Sequence, residues 1–327
     1  MGLVPSAFAQ DSSLHRSFSA SEERRFRIHL TVRSELEGPE TVNIGAVTYV
    51  KTVQIFAEAR LAWTVTESLI ALDDSSTAKM REQQEAFSPL LIVRDPDTVD
   101  VVADRLAEAL RQTLSKWAAG RTVDFRVARD GSATGMPADA APQLDERPPL
   151  LLTPWLVHAL RPAAALPHRP VRVGDVWQEP RTVAVAGWTD VHAGETGEWL
   201  EAATPEERAA LRLHVTQEIS GRVSEAAPAT APRASESPAH SAGTAEQHPK
   251  AALGERTERF FAESLSTIAL EDGSVLSASR SARKEIVQVL APVPGMVEPP
   301  RFRATLSVQV EIESCVEGRC DSGGNHR

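Results

Sequence analysis

From Arg25 to Leu36 apolar and polar side chains alternate. Phe26, Ile28, Leu30 and Val32 fall on one face, and Arg25, Arg27, His29, Thr31 and Arg33 on the other. A period of two with one apolar face predicts a half-buried antiparallel strand. The pattern returns at Val53, Ile55, Ala57, Ala59, Leu61, Trp63 and Val65. With Val47 and Tyr49 upstream it predicts one very long strand, or two joined by a bulge near Lys51. Strands of that length bend, as in a curled sheet or part-barrel. Val123 to Val127 predicts a further strand, stopped by the turn signal Asp130-Gly131. Leu211 to Val223 predicts another. Phe260 to Leu270, Asp272-Gly273 and Val275 to Leu290 together read as a hairpin. Phe302, Ala304, Leu306, Val308, Val310 and Ile312 alternate strictly and form the last strand.

One helix interrupts the alternation. Asp95 suits the N-cap and Pro96 the first helical position, where a missing N–H is harmless. Val99, Val102, Leu106, Leu110, Leu114 and Trp117 follow at spacings of three and four, making one apolar stripe. Arg111 and Lys116 complement the C-terminal dipole, and Gly120 can close the helix, which runs from about Pro96 to Ala119. Shorter helices are predicted from Pro154 to Leu160, closed by Pro162, and at Thr204-Pro205-Glu206-Glu207. Ala71 to Pro89 is polar and reads as a loop. Ser224 to Arg256 holds ten Ala and four Pro, with no aromatic residue, Ile or Val, too little apolar surface to offset the entropy of ordering.

These elements predict an α+β fold: a strongly curved, half-barrel-like antiparallel sheet with one long covering helix and short extra helices. Residues 1–20 read as a remnant signal peptide and flexible N-terminus, and 21–223 as the first part of a β-rich domain. Residues 224–256 read as a disordered Ala/Pro-rich loop, 257–313 as the second part of the same domain, and 314–327 as a tail with a local disulfide.

Charge and cysteine content narrow the function classes. The formal net charge of −10 argues against a nucleic-acid partner, which needs a clustered positive field. No apolar run approaches the ~20 residues that span a bilayer, so no transmembrane segment is expected in the mature chain. Ala7-Phe8-Ala9 before Gln10 has the small-residue pattern of a signal-peptidase site, without the basic and most of the apolar region that should precede it. The expectation is a signal peptide truncated by an internal start. No Cys follows to carry a lipid. Cys315 and Cys320, in SCVEGRC, suit a small local disulfide in an oxidising compartment, which points to a periplasmic or secreted protein. A metal site recruiting His326 is the weaker alternative.

The segment Leu166-Pro167-His168-Arg169-Pro170-Val171-Arg172-Val173-Gly174-Asp175-Val176-Trp177 is the most distinctive in the chain. Its prolines force an extended path, Gly174 permits a turn, and Trp177 offers an amphipathic anchor. Here the chain resembles a group of exported bacterial β-rich proteins with no assigned activity. They carry a P-V-x-V-G-D-x-W segment after a strand ending in an Asp-Gly turn. A more distant architectural likeness is to the half-barrels of periplasmic lipoprotein carriers. The resemblance implies export and a β-rich fold, and no chemistry. The plain alternative for Asp175 and Trp177 is a turn residue and a core plug.

Catalytic signatures are thin. Ser76-Thr77-Ala78-Lys79 matches the S-x-x-K nucleophile motif of serine β-lactamases, which needs both residues on one helical turn. Its partners K-T-G, S-D-N and Y-x-N are absent, and Ser281-Ala282-Arg283-Lys284 matches the same pattern inside a predicted strand. None of the nine His forms H-x-H or H-E-x-x-H. His29 and His214 fall on polar strand faces, and His168, His192, His240 and His248 in loops. No nucleotide-binding glycine loop occurs, so no cofactor and no metal are expected.

The leading expectation is therefore a non-catalytic exported protein that binds lipid or another apolar ligand, or an envelope partner, in the concave apolar face. Ile55, Leu61, Trp63, Leu106, Leu110 and Trp117 are the groove candidates, with a filled core as the alternative. A cell-envelope protein–protein scaffold using 224–256 as a tether is the second reading. A hydrolase with an unrecognised site is the third.

Overall fold

The computed structural model describes residues 16–18, 23–44, 47–73, 77–88, 90–94, 101–117, 121–137, 139–144, 151–161, 174–180, 188–203, 210–223, 255–290, 299–315 and 320. The expected signal-peptide remnant, the 204–207 helix, Pro170, Val171 and most of the Ala/Pro-rich segment lie outside them.

Among the described residues, the elements in chain order are β1 (Glu23–Ile44), β2 (Val47–Leu72), β3 (Thr77–Phe87), β4 (Leu91–Arg94), α1 (Val101–Trp117), β5 (Thr122–Ala128) and β6 (Ala133–Thr134). There follow α2 (Leu152–Ala159), β7 (Val176–Pro180), β8 (Trp188–Ala203), β9 (Ala210–Val223), β10 (Arg256–Ala269), β11 (Val275–Val289) and β12 (Arg301–Ser314). The strands form one antiparallel sheet in the order β6-β5-β3-β2-β1-β12-β11-β10-β9-β8-β7, with β4 also paired to β2. Among the described residues the sheet is open: β6 and β7 end it and do not pair with each other. The first strand and the last are therefore central neighbours.

The β1–β2 register runs unbroken from Glu23 opposite Ser68 to Ile44 opposite Val47, so β2 is one strand of 26 residues with no shift at Lys51. The alternation decides which face is buried. Ile28 lies between Trp63 and Ile312, Leu30 between Leu61 and Val310, and Val32 between Ala59 and Val308. All of these side chains are buried. Burial at about 25 cal/mol per Å² of apolar surface makes this face the main source of stability.

Two sequence expectations fail here. The polar stretch 71–89 is not a loop, because β3 pairs with both β2 and β5. Its inward positions are Ala78, Met80, Glu82 and Gln84, all buried, and two of them are polar. That breaks the apolar period by which a strand is recognised. Nor does one long helix cover the face. α1 packs on β2 and β4, while the short α2 stands against β11 and buries Leu152, Leu156, Val157 and Ala159.

The two Asp-Gly-Ser turns are built alike. Gly131 and Gly273 have φ of 77° and 66°, the left-handed region that glycine enters without strain. In each turn the Ser backbone N–H donates to the Asp Oδ1, at 2.8 Å for Ser132 and 3.0 Å for Ser274. Residues 16–18 tie the turns together: Arg16 N–H donates to Arg129 O at 2.7 Å, and Ser17 N–H to Asp272 O at 2.9 Å. Two turns far apart in sequence are thus brought to one end of the molecule.

Cys315 and Cys320 are bridged, with Cα atoms 4.2 Å apart, and the Cys315 N–H donates to Arg25 O at 2.8 Å. So small a loop constrains the unfolded chain little. Cys320→Ser is expected to lower the unfolding free energy by about 2 kcal/mol or less in urea titrations.

Candidate functional site

Four of the six apolar candidates are part of a filled core. Trp63 and Trp117 meet edge to face with ring centroids 5.2 Å apart, and Leu61, Trp63, Leu110 and Trp117 are all buried. They belong to one cluster with Leu152, Leu156 and Leu160, so α2 and α1 occupy the space an apolar ligand would need. The Leu106 side chain lies outside the described residues. Ile55 is half-buried and lines a small cavity of about 370 Å³ near the far end of β2.

Beside α2 the same interior holds an ionic cluster that the sequence reading missed. Glu67 of β2 and Glu82 of β3 stand opposite each other in register and point inward. Arg16 donates to Glu67 at 3.2 Å, and Arg161, just past α2, donates to Glu82 at 2.5 Å. Arg161 also donates to Ala140 O at 2.8 Å, and Arg280 of β11 donates to Ala159 O at 2.7 Å and Arg161 O at 2.5 Å. Arg280 thereby caps the carbonyl end of α2, where a cation complements the helix dipole. Burial raises the Glu82 carboxyl to about 7; the Arg161 charge opposes the rise and Glu67 adds to it. Burial lowers Arg280 to about 10, with Glu67 opposing, so it stays charged at neutral pH. His158 is held below its ordinary value by burial and by the Arg161 and Arg280 charges. Arg16 and Glu67, and Arg161 and Glu82, are tied as ion pairs, and Arg280 is tied to the end of α2. The arrangement of the cluster fixes α2 in the sheet.

The large opening is on the other face. A cavity of about 900 Å³ is lined by side chains from seven adjacent strands, β2, β1, β12, β11, β10, β9 and β8. The polar half of the alternation forms its floor. One row of register partners crosses the strands as Thr31, Gln309, Ser281, Glu263, Thr216 and Thr196. A second row runs Glu58, Arg33, Ser307, Arg283, Phe261 and Glu218. The smaller cavity shares Arg33 and Arg283 with it, so the two are contiguous.

None of the six apolar candidates lines the large cavity. His192, expected in a loop, lies on β8 and lines it. The usable signal was small polar residues at every second position, as at Ser277, Ser279 and Ser281. A merely solvated face gives the same signal.

Of the distinctive motif, Gly174 has φ of 87° and donates to Trp199 O at 2.7 Å, and Asp175 O accepts from Trp199 N–H at 3.0 Å. Both residues begin the pairing of β7 with β8, which is a turn role. The Trp177 side chain is outside the described residues. Lys79 and Ser281 both sit on strands, so neither S-x-x-K match has the helical turn that chemistry requires. Among the described residues no group of three or more His, Cys, Asp or Glu could hold a metal, and no helix is long and apolar enough to cross a membrane.

No protein-family model matches the chain, and no curated protein matches it. Among solved structures it is similar to the β-barrel of the InvG secretin domain from the Salmonella SPI-1 injectisome. That match has 6% identity and a TM-score of 0.15, over 92% of this chain and 66% of that one, just under two thirds. A second match is an outer-membrane channel from Pseudomonas putida F1, with 7% identity and a TM-score of 0.15, over 95% of this chain and 100% of that one.

Proposed function

We propose that this is an exported, non-catalytic binding protein of the cell envelope, and that its ligand lies on the polar face of the sheet. One observation carries the reading: the apolar face is filled by α1, α2 and the Trp63–Trp117 pair, while a cavity of about 900 Å³ crosses seven strands on the opposite face. A concave site of that size with convergent polar groups is where a ligand is held. The bridged Cys315–Cys320 pair supports an oxidising compartment. The lipid-binding expectation is replaced, because a groove for an acyl chain needs apolar walls without occupants.

The test is native mass spectrometry of protein isolated from the envelope fraction of its source cells, beside Ser281→Trp. Ser281 is exposed at the middle of the cavity floor, so the indole obstructs the centre of the cavity without entering the core. The expected result is a non-lipid mass retained by the native chain and lost from the variant. Lipid retained equally by both, or protein found in the cytosol with free thiols, would overturn the reading.

A further inference from the structure

Resting on the polar cavity as the ligand site, we propose that its ligand is a neutral, hydroxyl-rich chain, a segment of oligosaccharide lying across the strands.

Both arginines of the floor and one of its three glutamates stand in ion pairs. Arg33 pairs with Glu35 at 2.5 Å and stacks on the Phe56 ring at 4.5 Å. Arg283 pairs with Glu285 at 2.6 Å, Glu58 with Arg60 at 2.6 Å, and Glu263 with His214 at 2.8 Å. The lining itself sets two arginines against three glutamates. Such a floor is slightly acidic and has no positive surplus with which to select a polyanion. A phosphate or carboxylate ligand would need arginine forks aimed at it, and both arginines here are engaged within their own strands.

Between these charges stand hydroxyls and an amide: Thr31, Gln309, Ser281, Thr216 and Thr196, in one line at right angles to the strands. Neighbouring strands are about 4.8 Å apart, so the line, with Glu263 standing between Ser281 and Thr216, repeats at that interval and extends about 24 Å over five gaps, measured along the sheet. A repeat of that size is close to the rise of one ring in an extended glycan, so successive sugars meet successive hydrogen-bonding groups. Phe261, half-buried in the adjoining row, offers an aromatic edge to the C–H face of a ring.

The same geometry disfavours a peptide. An extended peptide gains its affinity by adding backbone hydrogen bonds at a sheet edge. From β1 to β9 the strands under the cavity are paired on both sides, which leaves no edge there.

The experiment is isothermal titration of the full, disulfide-bonded chain. The neutral probes are the hexasaccharides of N-acetylglucosamine, β-glucose, α-glucose, xylose and mannose. A hyaluronan hexasaccharide and an uncharged extended decapeptide are run beside them. At least one neutral hexasaccharide is expected to bind, with an affinity that changes less than twofold between about 50 and 500 mM salt, since no charge pairs are formed. Ser281→Trp and Phe261→Ala are each expected to weaken it by about tenfold or more. Phe261→Ala keeps the test open should the larger residue disturb folding. The proposal is overturned if no neutral sugar binds, if only hyaluronan or the peptide binds, or if Phe261→Ala leaves affinity unchanged. The proposed site itself would survive that result if native mass spectrometry still showed a polar mass lost from Ser281→Trp, and would fall with it if no such mass were found.

Discussion

Arg161→Met is expected to destabilise the protein by about 3–5 kcal/mol at pH 8, because it strands a buried carboxylate. Arg161 and Glu82 are both almost fully buried, and Arg161 also binds the Ala140 carbonyl. Removing one member of a buried pair costs far more than the pair contributes. The loss should depend on pH in a fixed direction. Burial raises the Glu82 carboxyl from 4.5 to about 7 in the folded protein, so between those values the folded state holds a proton that the unfolded state has shed. A site that binds more protons when folded loses stability as pH rises through that window, and the loss is complete above it. Without Arg161 the carboxyl is raised further. The variant's deficit should therefore be smallest up to about pH 7, where Glu82 stays protonated in both folded proteins, and should grow as pH rises above it, still increasing at pH 8. Urea titrations of both proteins at pH 5, 6, 7 and 8 check this. A deficit independent of pH would mean that Glu82 does not carry it.

Trp63→Ala is expected to cost about 3–5 kcal/mol, the range for deleting a large aromatic from a packed interior. Trp63 is 2% exposed and Trp117 5%. In a double-mutant cycle with Trp117→Ala, the edge-to-face contact should appear as a coupling of about 0.5–1.5 kcal/mol. Denaturant titration distinguishes this core from an open groove. A wall residue of a groove would be lost with little change, near the ±0.5 kcal/mol typical of surface positions.

The sequence disclosed the strands that obey the two-residue period and concealed those that do not. β1, β2 and β12 were legible because Phe26, Ile28, Trp63, Val308 and Ile312 mark one face without interruption. β3 was not, since Glu82 and Gln84 take inward positions, and Glu82 meets a partner, Arg161, supplied by a distant segment. Arg161 gave no local sign that it would be buried. α2 was read as an element from Pro154 and Pro162, but nothing in its eight residues says that it stands inside the sheet. For the candidate site, the floor residues were visible as the polar half of each strand. Their union into one cavity depends on strand order, which pairs residues as distant as Thr31 and Gln309. The apolar groove was inferred from a one-sided pattern, and a pattern on one side does not reveal what packs against it.

The placement of β12 against β1 has a consequence for how the molecule is made. Of the twelve strands among the described residues, the last in chain order completes the middle of the sheet. Throughout synthesis, and during any transit across a membrane, β1 offers the backbone of Phe26 to Glu37 with one flank unsatisfied, an open template for a neighbouring chain. Joining the two wings also demands the most distant contact the chain can form, which is slow. Crowding and delay thus act against this topology at the same moment, and a holdase that shelters β1 until β12 emerges would raise the yield of native protein.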